Sequence, residues 1–362
     1  MSYFGANVVS YTYDDSGNAL TRTPGTNPAS SFIYDPMNRV TKITHNFAGA
    51  NGGAKVFNYT YDEVGNRMTA QREGGVIDSL GYDKNSQMTS YSLGGAVSTL
   101  TYDESGNRTK LVAGGVTTNY TPNGLNQYTL AGSNSLGYSG NGNVTGYAGW
   151  TYSYDALNRL TSADIGGTTS DFYYDGLGRQ VARKIGTATI YSVWDGANRV
   201  AEYAPGGSAT ALNRWVYAGG DLVRSPMPQQ IYYYADGSGS TSYLADGTGL
   251  LLEKYTYDVG GKPTFLSPAG VVLTAGGNYT VDMLFTGQKW YVGYGILDLR
   301  ARAYLAGLGR FLQPDPIGFG GDPANLYRYC ANNPFNCSDP SGEGFQYTQY
   351  GNNVNFYLPV SV

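Results

Sequence analysis

The sequence predicts an all-β fold in which a row of β-hairpins pairs edge to edge into one long sheet. The chain of 362 residues contains 35 tyrosines and 52 glycines, and only 14% of its residues are charged. Tyrosine fits a pleated, half-buried strand surface, whereas glycine suits the turns between strands. A short motif also recurs along the first half of the chain, preceded by alternating polar and aromatic residues. Composition, repetition and alternation therefore favour the same class of fold.

The repeated motif is an aromatic residue, usually followed by aspartate and then by a Gly-Asn or Asn-Arg turn. The copies begin at Tyr13, Tyr34, Tyr61, Tyr82, Tyr102, Tyr120, Tyr138, Tyr154, Tyr174 and Trp194. Successive copies start 16 to 27 residues apart, most of them near 20. Because two strands of about six residues and two turns fit this period, each copy is predicted to form one hairpin.

Each position of the motif has a predicted role in the hairpin. Alternation in segments such as NYTYD and TYSYD places tyrosine on one face of the strand. Glycine supplies positive φ in the turn, and the aspartate side chain caps the turn through its own backbone. Since an isolated hairpin is marginal in water, the units should pair into one sheet, with tyrosine ladders across neighbouring strands.

The length of the array limits the shape that it can form. Ten hairpins give about twenty strands, spaced by roughly 4.8 Å, which would close only into a narrow cylinder. We therefore expect a partial shell, an open strip, or a unit that other copies of the chain complete. Exposed strand edges would favour such assembly.

Two parts of the sequence resemble a known family. The repeated YDxxGNR unit resembles the YD repeat of the Rhs family, which includes bacterial polymorphic toxins, the C components of insecticidal toxin complexes and the teneurins. The stretch from Phe285 to Gly342 resembles the Rhs repeat-associated core, through FTGQ, LRARAY, GRF, DPIG, NLYRY, NNP and DPSG. The resemblance implies a hairpin ribbon that spirals into a hollow shell closed by the core segment. The predicted divisions are a YD-repeat array at 1–230, the core at 231–342 and a strand-like tail at 343–362.

Asp315 in DPIG and Asp339 in DPSG are the candidate catalytic residues. The resemblance implies that they match the pair that cuts many bacterial relatives just after DPxGL, releasing a C-terminal toxin. Two neighbouring carboxylates do not both ionise easily, so one activates water while the protonated one polarises the scissile carbonyl. The cut is expected near Gly342-Glu343, just after one of these two residues. The alternative is that both aspartates only cap Asp-Pro turns.

The core segment departs from the family pattern at two places. Glu343 replaces the leucine of DPxGL, and Tyr304-Leu305-Ala306 replaces the usual Tyr-Asp-Pro. The only histidine, His45, lies in an early repeat, far along the chain from the core. A histidine-rich metal site and a Ser-His-Asp arrangement in the core are therefore excluded, and no metal or cofactor is predicted.

The two cysteines, Cys330 and Cys337, flank the NNPFN segment. A disulfide between them would close this loop and would suit an extracellular protein. Two buried thiols acting as small hydrophobic side chains fit the sequence equally well.

The predicted function is that of a structural shell segment of a secreted or surface bacterial toxin-like protein. The alternative is an extracellular carbohydrate-binding, adhesion or filament-forming repeat protein, whose exposed tyrosines would stack on sugars. At most, the chain is expected to be an intramolecular aspartyl-type self-cleaving protease. Expected partners are its own C-terminal segment, further YD repeats, other copies of itself and, in the alternative, glycans.

Other partners and locations are disfavoured by charge and hydropathy. The net charge of -4 lacks the excess positive charge that nucleic-acid binding requires. The chain contains no apolar run near the ~18 residues that span a membrane. Its first residues also lack the charged and apolar regions of a signal peptide.

Overall fold

The computed structural model consists almost entirely of antiparallel strands, which confirms the predicted all-β class. It describes residues 2–3, 6–206, 210–218, 221–227, 230–274, 276–279 and 281–347. The strands are β1 Ser2–Tyr3, β2 Ala6–Asn7, β3 Val9–Tyr13, β4 Ala19–Pro24, β5 Ser30–Tyr34, β6 Val40–Phe47, β7 Gly53–Tyr61, β8 Arg67–Gln71, β9 Ile77–Tyr82, β10 Met88–Leu93, β11 Ser98–Tyr102, β12 Arg108–Ala113, β13 Val116–Pro122, β14 Tyr128–Ala131, β15 Asn134–Tyr138, β16 Val144–Tyr147, β17 Trp150–Tyr154, β18 Leu160–Ile165, β19 Thr168–Tyr174, β20 Gln180–Ile185, β21 Ala188–Asp195, β22 Asn198–Tyr203, β23 Asn213–Ala218, β24 Asp221–Met227, β25 Ile231–Ala235, β26 Thr241–Ala245, β27 Leu251–Tyr257, β28 Pro263–Leu266, β29 Lys289–Tyr291, β30 Ile296–Asp298, β31 Ala303–Leu305, β32 Arg310–Phe311, β33 Cys337–Ser338 and β34 Gln346–Tyr347. Short 3₁₀ segments cover Glu73–Gly75, Phe285–Gly287, Gly318–Gly320 and Cys330–Asn332. Within the residues that the structure describes, no helix is long and apolar enough to cross a membrane.

One antiparallel sheet of 26 strands runs in chain order from β3 to β28. The sheet is closed into a barrel. Early and late parts of it also meet where Ala48, between β6 and β7, pairs with Leu250, just before β27, in an isolated parallel bridge. The Ala48 N–H also donates a hydrogen bond of 2.8 Å to the Gly249 carbonyl oxygen. The sheet thus closes on itself within one chain, which differs from the partial shell or open strip expected from strand number alone. The large sheet continues through Leu266 at the end of β28.

Aromatic side chains from both ends of the sheet pack together where it closes. Phe47 and Phe57 of the early strands contact Tyr234 and Tyr243 of the late strands, in one buried cluster. His45 lies in the same cluster, with its Nε2 3.0 Å from the Ala235 carbonyl oxygen. Because a carbonyl oxygen only accepts, Nε2 carries the proton. Nδ1 lies 2.7 Å from the Ser30 hydroxyl, which can donate to it, and burial lowers the pKa of the ring to about 3. The imidazole is therefore neutral near pH 7, and it joins an early strand of the sheet to a late one.

In seven of the repeats the aspartate organises its own turn, as predicted. In the third repeat, Asp62 Oδ1 accepts hydrogen bonds from the backbone N–H groups of Val64 and Asn66, at 3.1 and 2.7 Å. Its Oδ2 accepts from the Asn66 side chain at 2.9 Å, and that amide also donates to Ser86 in the next turn. The same bonds to the second and fourth following residues recur at Asp14, Asp35, Asp83, Asp103, Asp155 and Asp175.

The motif tyrosines join each repeat to the one before it. Tyr61 donates its hydroxyl hydrogen to the Val40 carbonyl oxygen at 2.6 Å, and Tyr82 donates to that of Arg67 at 2.9 Å. In both cases the acceptor lies five residues after the aspartate of the preceding repeat. Equivalent bonds are made by Tyr34, Tyr102, Tyr154, Tyr174 and the indole of Trp194. The ladder between these repeats is therefore built from bonds between hydroxyl and backbone groups, rather than from the stacked rings that we expected.

Residues 285–342, the stretch that resembles the Rhs core, pack against the sheet instead of extending it. Strands β29 to β32 of this stretch form a separate four-stranded sheet. Leu305, Leu308 and Leu312 of this segment are buried with Tyr128 and Phe172 of the large sheet. The apolar side chains of the core thus cover one face of the closed sheet.

His45 generates a prediction about acid stability. Burial lowers the pKa of His45 from its ordinary value of 6.5 to about 3. The unfolded chain therefore binds one more proton than the folded chain between these values. This contribution makes the free energy of unfolding fall by about 1.4 kcal/mol per pH unit as the pH decreases below the unfolded value. In a His45→Gln variant, denaturant titrations between about pH 4 and 6 should show a shallower decline. Equal slopes in the two proteins would contradict a buried neutral imidazole.

Candidate functional site

Asp315 follows β32 and holds the DPIG turn. Its backbone N–H donates to the Leu326 carbonyl oxygen at 2.9 Å. Its Oδ1 accepts from the Ile317 N–H at 3.0 Å, which is the bond of an aspartate-capped turn. The other carboxylate oxygen takes no part in the turn and contacts Arg302.

Asp339 follows β33 and holds the DPSG turn in a similar way. Its Oδ1 accepts from the backbone N–H groups of Gly342 and Gly344, at 2.8 and 3.2 Å. The Ser341 hydroxyl lies 3.4 Å from the same oxygen. The capping role considered from the sequence is therefore present at both aspartates, and it occupies one oxygen of each.

Arg302 joins the two free oxygens, so the structure brings the predicted pair together. Its Nη2 lies 2.8 Å from Asp315 Oδ2 and 3.3 Å from Asp339 Oδ2. Its Nη1 donates to the Leu326 carbonyl oxygen at 3.0 Å, and its Nε donates to that of Gly342 at 2.5 Å. Sequence reasoning did not single out this arginine, although it lies in the LRARAY stretch that matched the core pattern.

The three side chains form a buried cluster with more negative than positive charge. Asp315, Asp339 and Arg302 are 7%, 2% and 4% exposed, respectively. Burial raises the pKa of Asp315 to about 6, against the opposing effect of Arg302. The carboxylates of Asp339 and Glu343 raise the pKa of Asp315 further. Asp315 therefore holds a proton in mildly acidic solution.

The peptide bond between Glu343 and Gly344 lies between the two aspartates. A Cβ atom added to Gly321 would lie 2.4 Å from Asp315 Oδ2 and 2.5 Å from the Glu343 carbonyl oxygen. These two oxygens therefore border the same small space above Gly321. On the other side of the peptide bond, the Gly344 N–H donates to Asp339. A protonated Asp315 would face the carbonyl group while Asp339 holds the amide group.

The preceding peptide bond has different neighbours. The Gly342 carbonyl oxygen accepts from Arg302, and the Glu343 N–H donates to the Ser341 hydroxyl at 3.3 Å. Gly342 has a φ of 72°, and an added Cβ would lie 2.5 Å from the Leu299 carbonyl oxygen. Close packing thus fixes Gly342 and presents the next bond to the aspartates.

Polar side chains of the core bind consecutive repeat turns. Asn333 donates to the Asn66 amide oxygen at 3.0 Å, and Asn332 donates to that of Gln87 at 2.9 Å. Residues 330–332 all have positive φ, between 50° and 62°, and this left-handed turn sets the direction of both asparagines. Further bonds of this kind join Asn325 to Asn107, Arg310 to Asn126 and Tyr327 to Gln127. The polar residues of the core therefore lie at the same spacing in space as the repeat turns that they bind.

Cys330 and Cys337 are both buried, and the structure has them as free thiols rather than as a disulfide. They lie in the apolar cluster beneath the core. Burial raises the pKa of both thiols well above the ordinary value.

The tail predicted at 343–362 begins as expected from its alternation. Gln346–Tyr347 pairs with Cys337–Ser338 of the same chain, and Phe345 packs against the cluster that contains the cysteines. The rest of the tail, 348–362, lies outside the described residues.

Solved structures of toxin complexes are similar to the whole of this arrangement. The Photorhabdus luminescens Tc holotoxin pore carrying a TccC3 mutation superposes with a TM-score of 0.73. The match covers 96% of this chain and 19% of that chain, at 18% identity. A crystal structure of TcdB2-TccC3 without its hypervariable C-terminal region gives a TM-score of 0.69 at 20% identity, over 92% of this chain and 19% of that one. This chain therefore shares the fold of the matching fifth of those toxin-complex chains.

Curated relatives are found among large bacterial proteins. The tRNA(Glu)-specific nuclease WapA of Bacillus subtilis subsp. natto is 29% identical over 361 residues, which cover 92% of this chain and 14% of that protein. The tRNA nuclease WapA of Bacillus subtilis strain 168 is 29% identical over 240 residues, covering 62% and 10%. The chain thus spans a small part of the length of these relatives. No family model matches the sequence.

The space above Gly321 generates a prediction about packing at the aspartate pair. A Gly321→Ala change should force Asp315 and the Glu343 carbonyl group apart and destabilise the fold by about 1–3 kcal/mol. Gly320→Ala is the matched control, since its Cβ would meet only Ile317 at 3.9 Å. Denaturant unfolding of both variants measures the difference. Equal stabilities would show that the segment after Asp339 does not rest against Asp315.

Proposed function

We propose that this chain is the closing part of an Rhs/YD-repeat shell, belonging to a secreted or surface-exposed bacterial toxin-like protein. The observation that carries the proposal is the register between the core's asparagines and the consecutive repeat turns, as at Asn333 and Asn66. A segment that binds turn after turn of a closed sheet acts as a plug for that sheet. The similarity in fold to toxin complexes and in sequence to WapA nucleases supports a toxin-associated role.

The packing of tyrosine favours the shell over the alternative of a glycan-binding or adhesive repeat protein. Stacking on sugars would need a face of exposed tyrosine rings. Many tyrosines are instead almost fully buried, including Tyr59, Tyr120, Tyr152 and Tyr255, with 3% to 6% exposure. The rings of Tyr120, Tyr152 and Tyr255 pack against side chains of the core, whereas Tyr59 packs among strands of the large sheet.

The proposal includes self-cleavage between Glu343 and Gly344. Water attacks the Glu343 carbonyl carbon and gives a proton to ionised Asp339, while protonated Asp315 donates its proton to the carbonyl oxygen. As the bond to the Gly344 nitrogen breaks, Asp339 passes its proton to that nitrogen, and Asp315 regains a proton from the new carboxyl group. One water is consumed, and the products are a new carboxyl group and a new amino group. Arg302 offsets the charge of the carboxylates throughout.

The plug is tested by a double-mutant cycle on Asn66 and Asn333. Both side chains are buried, and they share a direct hydrogen bond. We expect the effects of Asn66→Ala and Asn333→Ala on unfolding to be non-additive by about 0.5–3 kcal/mol. Asn18 is the control partner, because it holds the same position in the first repeat but bonds to Asp14 and Asn38. Coupling of Asn333 to Asn18 as strong as that to Asn66 would contradict specific docking.

Self-cleavage is tested by the intact mass of the full chain. The parent is expected to lose residues 344–362, whereas Asp315→Asn should keep its full mass. Asp246→Asn is the matched control, because Asp246 also caps a turn but its carboxylate bonds to Thr248 and Leu250, far from Arg302. The reaction needs protonated Asp315, whose pKa is about 6, so the rate should fall as the pH rises above that value. Full-length mass in all three proteins at every pH would leave both aspartates as turn residues, without affecting the shell proposal.

A further inference from the structure

A small polar cavity lies where the core meets the large sheet, away from the aspartate pair. It has a volume of about 30 Å³ and is partly open. Arg108, at the start of β12, lines it from the sheet, and Arg310 in β32 lines it from the core. The cavity thus lies between the two parts that the plug proposal joins.

The charged residues that line this cavity are all basic. They are Arg108, Arg310 and Arg328, and no carboxylate lines it. Arg328 is neutralised by Asp322, with an N–O distance of 2.6 Å. Within the described part of the chain, neither Arg108 nor Arg310 forms an ion pair. Two positive charges therefore face the cavity without a negative partner.

Aromatic rings support these guanidinium groups but do not neutralise them. Arg108 lies over the Tyr120 ring at 4.6 Å, and Arg310 lies over the Tyr128 ring at 4.0 Å. Such contacts stabilise a cation through the ring's quadrupole, which carries no net charge. A buried charge without a counterion is strongly disfavoured, so the arrangement calls for an anion.

Two hydrogen-bond donors on these side chains are also unused. Among the described residues, Arg108 Nε and Arg310 Nη1 are buried without a partner. One further nitrogen of each side chain is engaged, since Arg108 Nη2 donates to the Leu308 carbonyl oxygen and Arg310 Nη2 donates to that of Asn126. Arg310 is only 5% exposed. The unused donors belong to the same two side chains that carry the unpaired charge.

We propose that this cavity binds a small inorganic anion, chloride, between Arg108 and Arg310. A cavity of this volume holds about two waters, so a monatomic ion fits, whereas phosphate with its four oxygens does not. The bound ion accepts the unused N–H groups and offsets both charges. Because one arginine belongs to the sheet and the other to the core, the ion fastens the plug to the shell. This inference depends on the docking of the core and is independent of self-cleavage.

The test uses thermal unfolding of the full chain at constant ionic strength, with sodium chloride replacing sodium gluconate. Gluconate is too large for the cavity. A ligand that binds only the folded state should raise the midpoint by about 2 °C for each tenfold rise in chloride above its dissociation constant. Arg310→Gln should abolish this increment. Arg67→Gln is the matched control, because Arg67 is also buried and has no ion pair among the described residues, but it lies outside the cavity. It should keep the increment even if its midpoint is lower.

A second measurement does not require a variant to fold. Crystals of the parent chain grown or soaked with bromide should show an anomalous peak between the two guanidinium groups. A chloride-independent midpoint, or a cavity that holds water while bromide is found elsewhere, would overturn the proposal. An equal chloride increment in Arg310→Gln would also overturn it. Retention of the tail in the mass measurement would not, so failure of the self-cleavage proposal can be told apart from failure of this one.

Discussion

The hydrogen bonds that each repeat aspartate makes within its own turn are the interaction on which the rest of the structure depends. One carboxylate holds two backbone N–H groups and the side chain of the fourth residue on, as Asp62 does with Asn66. This fixes the turn and points the amide of Asn66 toward the next one. A row of identical turns then presents polar groups at regular intervals. The core segment binds these regularly spaced polar groups. A local interaction within each repeat therefore determines where the plug can dock.

The candidate site reuses the same local interaction. Asp315 and Asp339 each cap a turn with one oxygen and contact Arg302 with the other. From the sequence, turn capping and membership of a carboxylate pair were alternative roles for these aspartates. Because a carboxylate has two oxygens, each aspartate does both in the structure. The turns hold the carboxylates so that their free oxygens face one guanidinium group. Arg302 also donates a hydrogen bond to the Gly342 carbonyl oxygen. The same residue therefore offsets the charge of the aspartates and positions the segment after Asp339.

What the sequence could predict follows from the range of each interaction. The hairpins, the capping aspartates and the all-β class depend on residues within one repeat, and their spacing is visible in the sequence. The ring closure between Ala48 and Leu250 and the role of Arg302 depend on contacts between distant segments, which leave no local pattern. The use of tyrosine was only half predicted. Alternation placed the ring on one face, but the hydroxyl bond from Tyr82 to the Arg67 carbonyl group becomes apparent only when neighbouring repeats are seen together.

The direction of these hydroxyl bonds has a consequence for how the protein is made. Each tyrosine bonds to a carbonyl group of the repeat that precedes it, as Tyr61 does to Val40. A newly synthesised hairpin therefore finds its acceptor already formed, and the preceding repeat serves as its template. The array can grow vectorially from its N-terminal end as the chain emerges, in step with translation or export. The core segment follows the repeats in the chain and emerges after them, when the turns that it binds are already in place. Chain order thus places assembly of the wall before insertion of the plug.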